Sequence, residues 1–255
     1  MLLTNGLIEL ILIFSRVAGM FALVPLFGAK NSPTYIKVGF ILILTVTLFP
    51  LVEPTLNFQV GTLLELGYHM VMEILMGLSF GLIITLMMNA IYLAGLLIDR
   101  NIGFAMVSVI SAQDEAQIPV SANFYYLMIM LIFVITYSHH RVIRAVYHSL
   151  EMIPIGGGSI SIETAGIFVN SLSTSFSIGF TIAAPFILTI MVVNIILGLL
   201  SKAMPGLNVF MVGMPIKVMV GLGLFTILVP YYIEFFKNLL DLTFDHLKML
   251  FDIYL

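Results

Sequence analysis

Glu65, His69 and Glu73 stand at i, i+4 and i+8, so a helix through them carries all three on one face. Two carboxylates around an imidazole are the side chains of a metal site or a proton relay. The plainer reading of the same pattern, preferred here, is a helix face that meets water or a partner subunit. His139 and His140 are adjacent, point to different sides of a helix and make a poor chelate. Arg141, Arg144 and His148 follow i, i+3, i+7 and form one cationic stripe. The chain has no cysteine, which removes thiolate metal sites, cysteine nucleophiles and disulfides. HExxH does not occur, and no GK[ST] follows the glycines at 156–158. These residues point to no enzyme, no cofactor and no metal.

The elements that hold these residues are unusually apolar. Of 255 residues, 61% are hydrophobic and 9% charged, and the mean hydropathy is +1.16. An ordinary soluble domain is roughly half apolar and about a quarter charged. So few charges cannot cover a water-facing surface, so the chain is a membrane protein or a subunit of a hydrophobic assembly. A net charge of −3 with ten Lys+Arg offers no basic stripe, which argues against nucleic acid as a partner.

The pattern predicts apolar helices over 7–27, 35–49, 63–98, 121–137 and 163–202, with a return helix over 218–235. It also predicts amphipathic helices over 142–153 and 238–254. No Lys or Arg precedes Arg16, so the first segment is expected to be retained rather than cleaved. Arg16 is costly against lipid and should face protein, water or a helix end. With Glu65 and Glu73 it forms the set of candidate buried or partner-facing charges. Gly77-x-x-x-Gly81, followed by Ala94 and Gly95, offers small residues where helices can approach closely. Ser138-His139-His140-Arg141 reads as a tight turn, Pro185 as a kink, and 201–217, with two prolines and two glycines, as a structured hairpin tip.

The stretch 99–120, DRNIGFAMVSVISAQDEAQIPV, separates two segments free of Asp, Glu, Lys and Arg, 74–98 and 116–140. A solvated loop would be polar and rich in turn residues, yet 102–110 is an apolar run. An apolar connector between membrane-grade helices is covered by protein or lines a cavity. A short interfacial helix that only packs is the plain alternative.

Several motifs together resemble one family. They are Ser15-Arg16-Val17-Ala18-Gly19 ahead of Pro25, Gly77-x-x-x-Gly81, Ala94-Gly95-x-x-x-Asp99 leading to Gly103, and Ile118-Pro119-Val120. Further along stand Leu200-Ser201-Lys202-Ala203-Met204-Pro205-x-Leu207-Asn208-Val209-Phe210 and Gly213-x-Pro215-Ile216-Lys217. Over nearly its whole length the chain resembles the FliR family, the R subunit of the flagellar type III export gate. The Pro-x-x-Asn-Val-Phe block is the most specific part. Gly206 stands where the family usually has Gln, so the resemblance does not extend to any hydrogen bond that side chain makes in relatives.

The resemblance implies an all-α, multi-helix subunit of a membrane complex, built of helical hairpins. Residues 1–158 would be like a P subunit and include the central loop 99–120. Residues 159–255 would be like a Q-subunit hairpin followed by an amphipathic helix. The implied partners are P-type and Q-type gate subunits, with one copy of this chain per hetero-oligomer, the FlhA and FlhB gate proteins, unfolded exported flagellar proteins, and membrane lipid. The implied place is the bacterial inner membrane at the flagellar basal body. The implied plug of the closed channel is Gly103, Phe104, Ala105, Met106, Val107, Ser108, Val109 and Ile110. The implied cytoplasmic-side hairpin tip carries Lys202, Pro205, Asn208, Phe210, Pro215 and Lys217. Read without the resemblance, the residues leave a polytopic secondary transporter or ion channel as the alternative.

Overall fold

The computed structural model of the chain describes residues 2–24, 33–52, 62–104, 119–157, 162–204, 206 and 208–254. These form helices α1 (Leu2–Leu23), α2 (Thr34–Leu48), α3 (Leu63–Ile102), α4 (Val120–Ile135), α5 (Ser138–Met152), α6 (Ile162–Ala203) and α7 (Val209–Tyr254). One 3-10 turn, Phe49–Leu51, extends α2. Among the described residues there is no strand. Among the described residues five helices are long and apolar enough to cross a membrane, or six spans if α4 and α5 count as one broken span. The protein is an all-α, polytopic helical membrane protein.

Helices α3, α6 and α7 run for 40, 42 and 46 residues. At 1.5 Å per residue each is roughly 60–70 Å long, about twice a hydrocarbon core. Their ends follow local chemistry. Thr62 and Glu65 form a capping box at the start of α3: the Glu65 N–H donates to Thr62 Oγ1 and the Thr62 N–H to the Glu65 carboxylate, both at 3.3 Å. At the other end Gly103 adopts φ 98°, and its N–H donates to the Asp99 carbonyl at 3.0 Å. Asn208 caps α7 by accepting the Met211 N–H on Oδ1 at 3.3 Å.

Three boundaries differ from the sequence reading. The break before α5 is Thr136-Tyr137, with Tyr137 in the left-handed region at φ 53°. Ser138–Arg141 is therefore the first turn of a helix, not a turn between elements. Ser138, Val142, Ala145 and Ser149 are all buried, so the buried face of α5 already begins at Ser138. The return helix and the terminal amphipathic helix are one, because the polar residues at Lys237 and Asn238 change the exposed face without breaking the backbone. The connector between α6 and α7 is only 204–208, so Pro215 and Lys217 sit inside α7. Pro185 lies within a continuous α6. The Tyr232 hydroxyl donates to the Ile182 carbonyl at 2.8 Å, one residue from the carbonyl that proline leaves without its helical donor.

The chain forms two compact units. One comprises Met1–Met87, Thr136–Leu172 and Leu240–Leu255. Its core joins Leu12, Val17 and Met20 of α1 to Met76, Phe80 and Ile83 of α3. Phe80 meets Phe251 edge-on at 4.9 Å and Tyr254 at 5.9 Å. The other unit comprises Met88–Ile135 and Ser173–Leu239. There the ring of Tyr125, fully buried, packs against Phe225 at 5.3 Å, Tyr232 at 5.5 Å and Phe236 at 5.9 Å.

Candidate functional site

Arg16 is the largest fully buried side chain of the described residues, at 1% exposure. Its Nε and Nη2 donate to the two carboxylate oxygens of Glu73 at 2.5 and 2.9 Å. Its Nη1 donates to the carbonyls of Ser149 at 2.6 Å and Ile153 at 3.1 Å, and Nη2 also reaches the Pro154 carbonyl at 3.4 Å. Glu73 in turn accepts the Gly156 N–H at 2.7 Å. The last carbonyls of a helix have no partner within it. Here a guanidinium from α1 supplies donors to the end of α5 and to the residues just beyond, and a carboxylate from α3 balances its charge. The planar fork of arginine suits this double task, whereas a lysine ammonium does not.

One turn away the same two helices meet through glycine. A Cβ on Gly77 would overlap the Arg16 carbonyl oxygen and stand 2.8 Å from the Met20 N. On Gly81 it would stand 2.5 Å from the Met20 carbonyl oxygen, and on Gly19 3.0 Å from the Leu78 N. These are backbone contacts that no side chain can relieve. Thr85, the next residue at the same spacing, donates its hydroxyl to the Leu23 carbonyl at 2.7 Å. The seam of α1 on α3 thus runs through Gly77, Gly81 and Thr85, with Gly19 facing it.

The face of Glu65, His69 and Glu73 divides in use. Glu65 is exposed and caps its own helix, whereas Glu73 is 1% exposed and bound to Arg16. Among the described residues no group of three His, Asp or Glu is arranged to hold a metal ion. The cationic stripe of α5 also divides. Arg141 pairs with Asp241 at 2.5 Å and lies 4.0 Å over the Phe244 ring, His148 meets Glu151 at 3.2 Å, and Arg144 is exposed.

In the other unit Gly95 takes the role Gly77 has in the first. A Cβ there would overlap the Ala122 backbone, so α3 and α4 touch at that point. Ala94 beside it is fully buried. Of the central stretch, Gly103 ends α3 and Phe104 follows it, while Ala105–Ile110 lie outside the described residues. At the α6–α7 connector Lys202 and Asn208 are exposed. Pro205 and the side chain of Phe210 lie outside the described residues. Sequence reasoning missed the main-chain partners of Arg16. They are 133 to 138 residues away, and the one local sign was the proline–glycine punctuation at 154–158, read there only as a link.

A family model described as bacterial export proteins, family 1, matches residues 7–243. The chain is similar to the flagellar biosynthetic protein FliR of Bacillus subtilis (strain 168), 30% identical over 257 residues, 96% of this chain and 97% of the relative. It is similar to that of Aquifex aeolicus (strain VF5), 29% identical over 241 residues, covering 91% and 92%. It is also similar to the Yop proteins translocation protein T of Yersinia pestis, 25% identical over 221 residues, covering 85% and 84%.

Proposed function

The chain belongs to the bacterial export proteins, family 1, and from that premise we propose that it is the R subunit of a flagellar type III export gate. It is not an enzyme; its work is to form and seal a passage. In this reading one copy joins several P-type and Q-type subunits in the inner membrane at the flagellar basal body, beside FlhA and FlhB. Unfolded flagellar proteins pass through the assembled channel. The carrying observation is the likeness to flagellar FliR over 96% of this chain.

Residues 1–158 take the P-like part and 159–255 the Q-like hairpin, α6 and α7 being its two arms. Lys202, Pro205, Asn208 and Phe210 mark the hairpin tip on the cytoplasmic side, with Pro215 and Lys217 in the helix just behind it. Gly103–Ile110 serve as the plug. Methionine and glycine there suit a surface that must seal and then yield. Large apolar side chains such as Tyr35, Ile43, Leu63, Leu64, Met211 and Met219 are each 70% exposed or more, which fits a surface covered by lipid and partner helices. The transporter reading needs a mid-membrane ionisable group able to bind a solute. Arg16, Glu73 and Asp99 are instead spent on groups of their own chain.

Native mass spectrometry of the tagged chain, co-expressed with the P- and Q-type proteins of the same genome, tests the assembly. One mass with a single copy of this chain and several of each partner is expected. A monomer or homo-oligomer indifferent to both would overturn the reading. For the plug, deleting 104–110 should leave that mass intact and raise ion leakage through the membrane. Unchanged leakage in an assembled complex would remove the plug from the account.

A further inference from the structure

Gly95, Asp99 and Gly103 are spaced by four and line one face at the end of α3. Gly95 is pressed against Ala122. One turn on, Asp99 is 4% exposed, and both its carboxylate oxygens accept the N–H of Ser121, at 2.9 and 3.1 Å. Ser121 is the second residue of α4, whose first amides have no acceptor within the helix. A carboxylate from another helix therefore caps α4, where the helix dipole also favours negative charge. The bond is to main chain: the Ser121 hydroxyl is buried without a partner. A second anchor lies beside it. Ile102 is fully buried, and a Cβ on Gly221 of α7 would stand 2.5 Å from its Cδ1, so Ile102 fills the space that glycine leaves. All of these residues belong to one compact unit.

We propose that Asp99 is a positioning residue of the export subunit: with Ile102 seated on Gly221, it sets the separation and register at which the chain leaves α3 and enters α4. Its part in sealing rests on the plug reading above; its part as a clamp does not. A covalent loop between two helices holds its own ends only loosely, because closure entropy changes slowly with loop length. A buried charge-assisted bond between the last turn of one helix and the first turn of the next removes that freedom.

The cysteine-free chain allows clean pairwise labelling. Spin labels are placed at Arg100→Cys and Leu127→Cys, both exposed positions in this unit, and their distance distribution is measured on the full-length protein. A single narrow peak is expected for the parent. Ser121→Ala should keep it, since the bond is to the amide, and Asp99→Asn should keep it through the amide oxygen. Asp99→Ala should lose it. A narrow peak retained in Asp99→Ala overturns the clamp. In the assembled complex Asp99→Ala should also leak ions at normal complex yield, with Asp99→Asn sealed. A broad peak with a sealed gate, where the 104–110 deletion leaks, overturns the positioning role in sealing. A 104–110 deletion that stays sealed defeats the plug reading instead, while a broadened peak still supports the clamp.

Discussion

Arg16→Ala should deplete the membrane of folded subunit, more severely than any other single polar substitution in the first unit. Three losses coincide. The Glu73 carboxylate is left buried without its cation, and breaking a buried pair in this way costs about 3–5 kcal/mol. The carbonyls of Ser149, Ile153 and Pro154 lose their donors. The end of α5 then has no charge to complement its dipole. Against a typical net stability of about 5–15 kcal/mol, that is a large share. Arg16→Lys should rescue little, because one ammonium cannot serve the carboxylate and the carbonyls together. Exchanging the pair, Arg16→Glu with Glu73→Arg, should also fail. It keeps both charges but turns a carboxylate toward carbonyl oxygens and a guanidinium toward the Gly156 N–H. Glu73→Gln should fall between the parent and Arg16→Ala, since an amide oxygen still accepts from Arg16. The measurement is the yield of monodisperse protein in detergent together with the thermal midpoint. A wild-type midpoint for Arg16→Ala would show that the junction does not hold the unit together.

Gly77→Leu should be as damaging by steric means. The atoms a side chain would meet are the backbone of Arg16 and Met20, not the tips of flexible side chains. Relief therefore requires α1 to move off α3. Even Gly77→Ala should destabilise by about 1–3 kcal/mol, the usual cost of overpacking. Because Arg16 sits on the turn that would be displaced, the helix shift also pulls its guanidinium from Glu73. The double variant Gly77→Ala with Arg16→Ala should then be less damaging than the sum of its parts. Gly67→Ala is the control. Nothing lies within 4 Å of a Cβ there, and Gly67 is exposed, so replacing it should stabilise α3 by up to about 1 kcal/mol through helix propensity. Normal complex yield and an unchanged midpoint for Gly77→Leu would show the glycine seam to be unimportant.

Much of the architecture follows from the sequence because it depends on local or averaged properties. Composition alone excludes a water-covered surface. Apolar periodicity locates the helices, and the four-residue spacing of Gly77 and Gly81 marks a close approach. Thr85 extends that spacing and was equally open to reading, but a threonine on an apolar helix does not announce a cap for another helix. Identity of the export family also lies in the sequence, since it rests on the order and spacing of motifs.

Other features depend on which distant groups meet. Whether Lys237 and Asn238 end a helix or only change its exposed face is decided by the buried run of Leu239, Leu240, Phe244 and Leu247 beyond them. Ser138–Arg141 reads as a turn from its polarity, yet it is helical because Ser138 is buried in the period of α5. From sequence, Arg16 could be barred from lipid, with Glu73 set beside it as a candidate buried charge, because the cost of an ionised group in hydrocarbon is a property of the residue alone. Their partners came from the packing of distant elements: the end of α5 for the pair and, for Asp99, the first turn of α4. Those partners are main-chain groups, which every residue carries alike, so no side-chain pattern in the sequence can mark them.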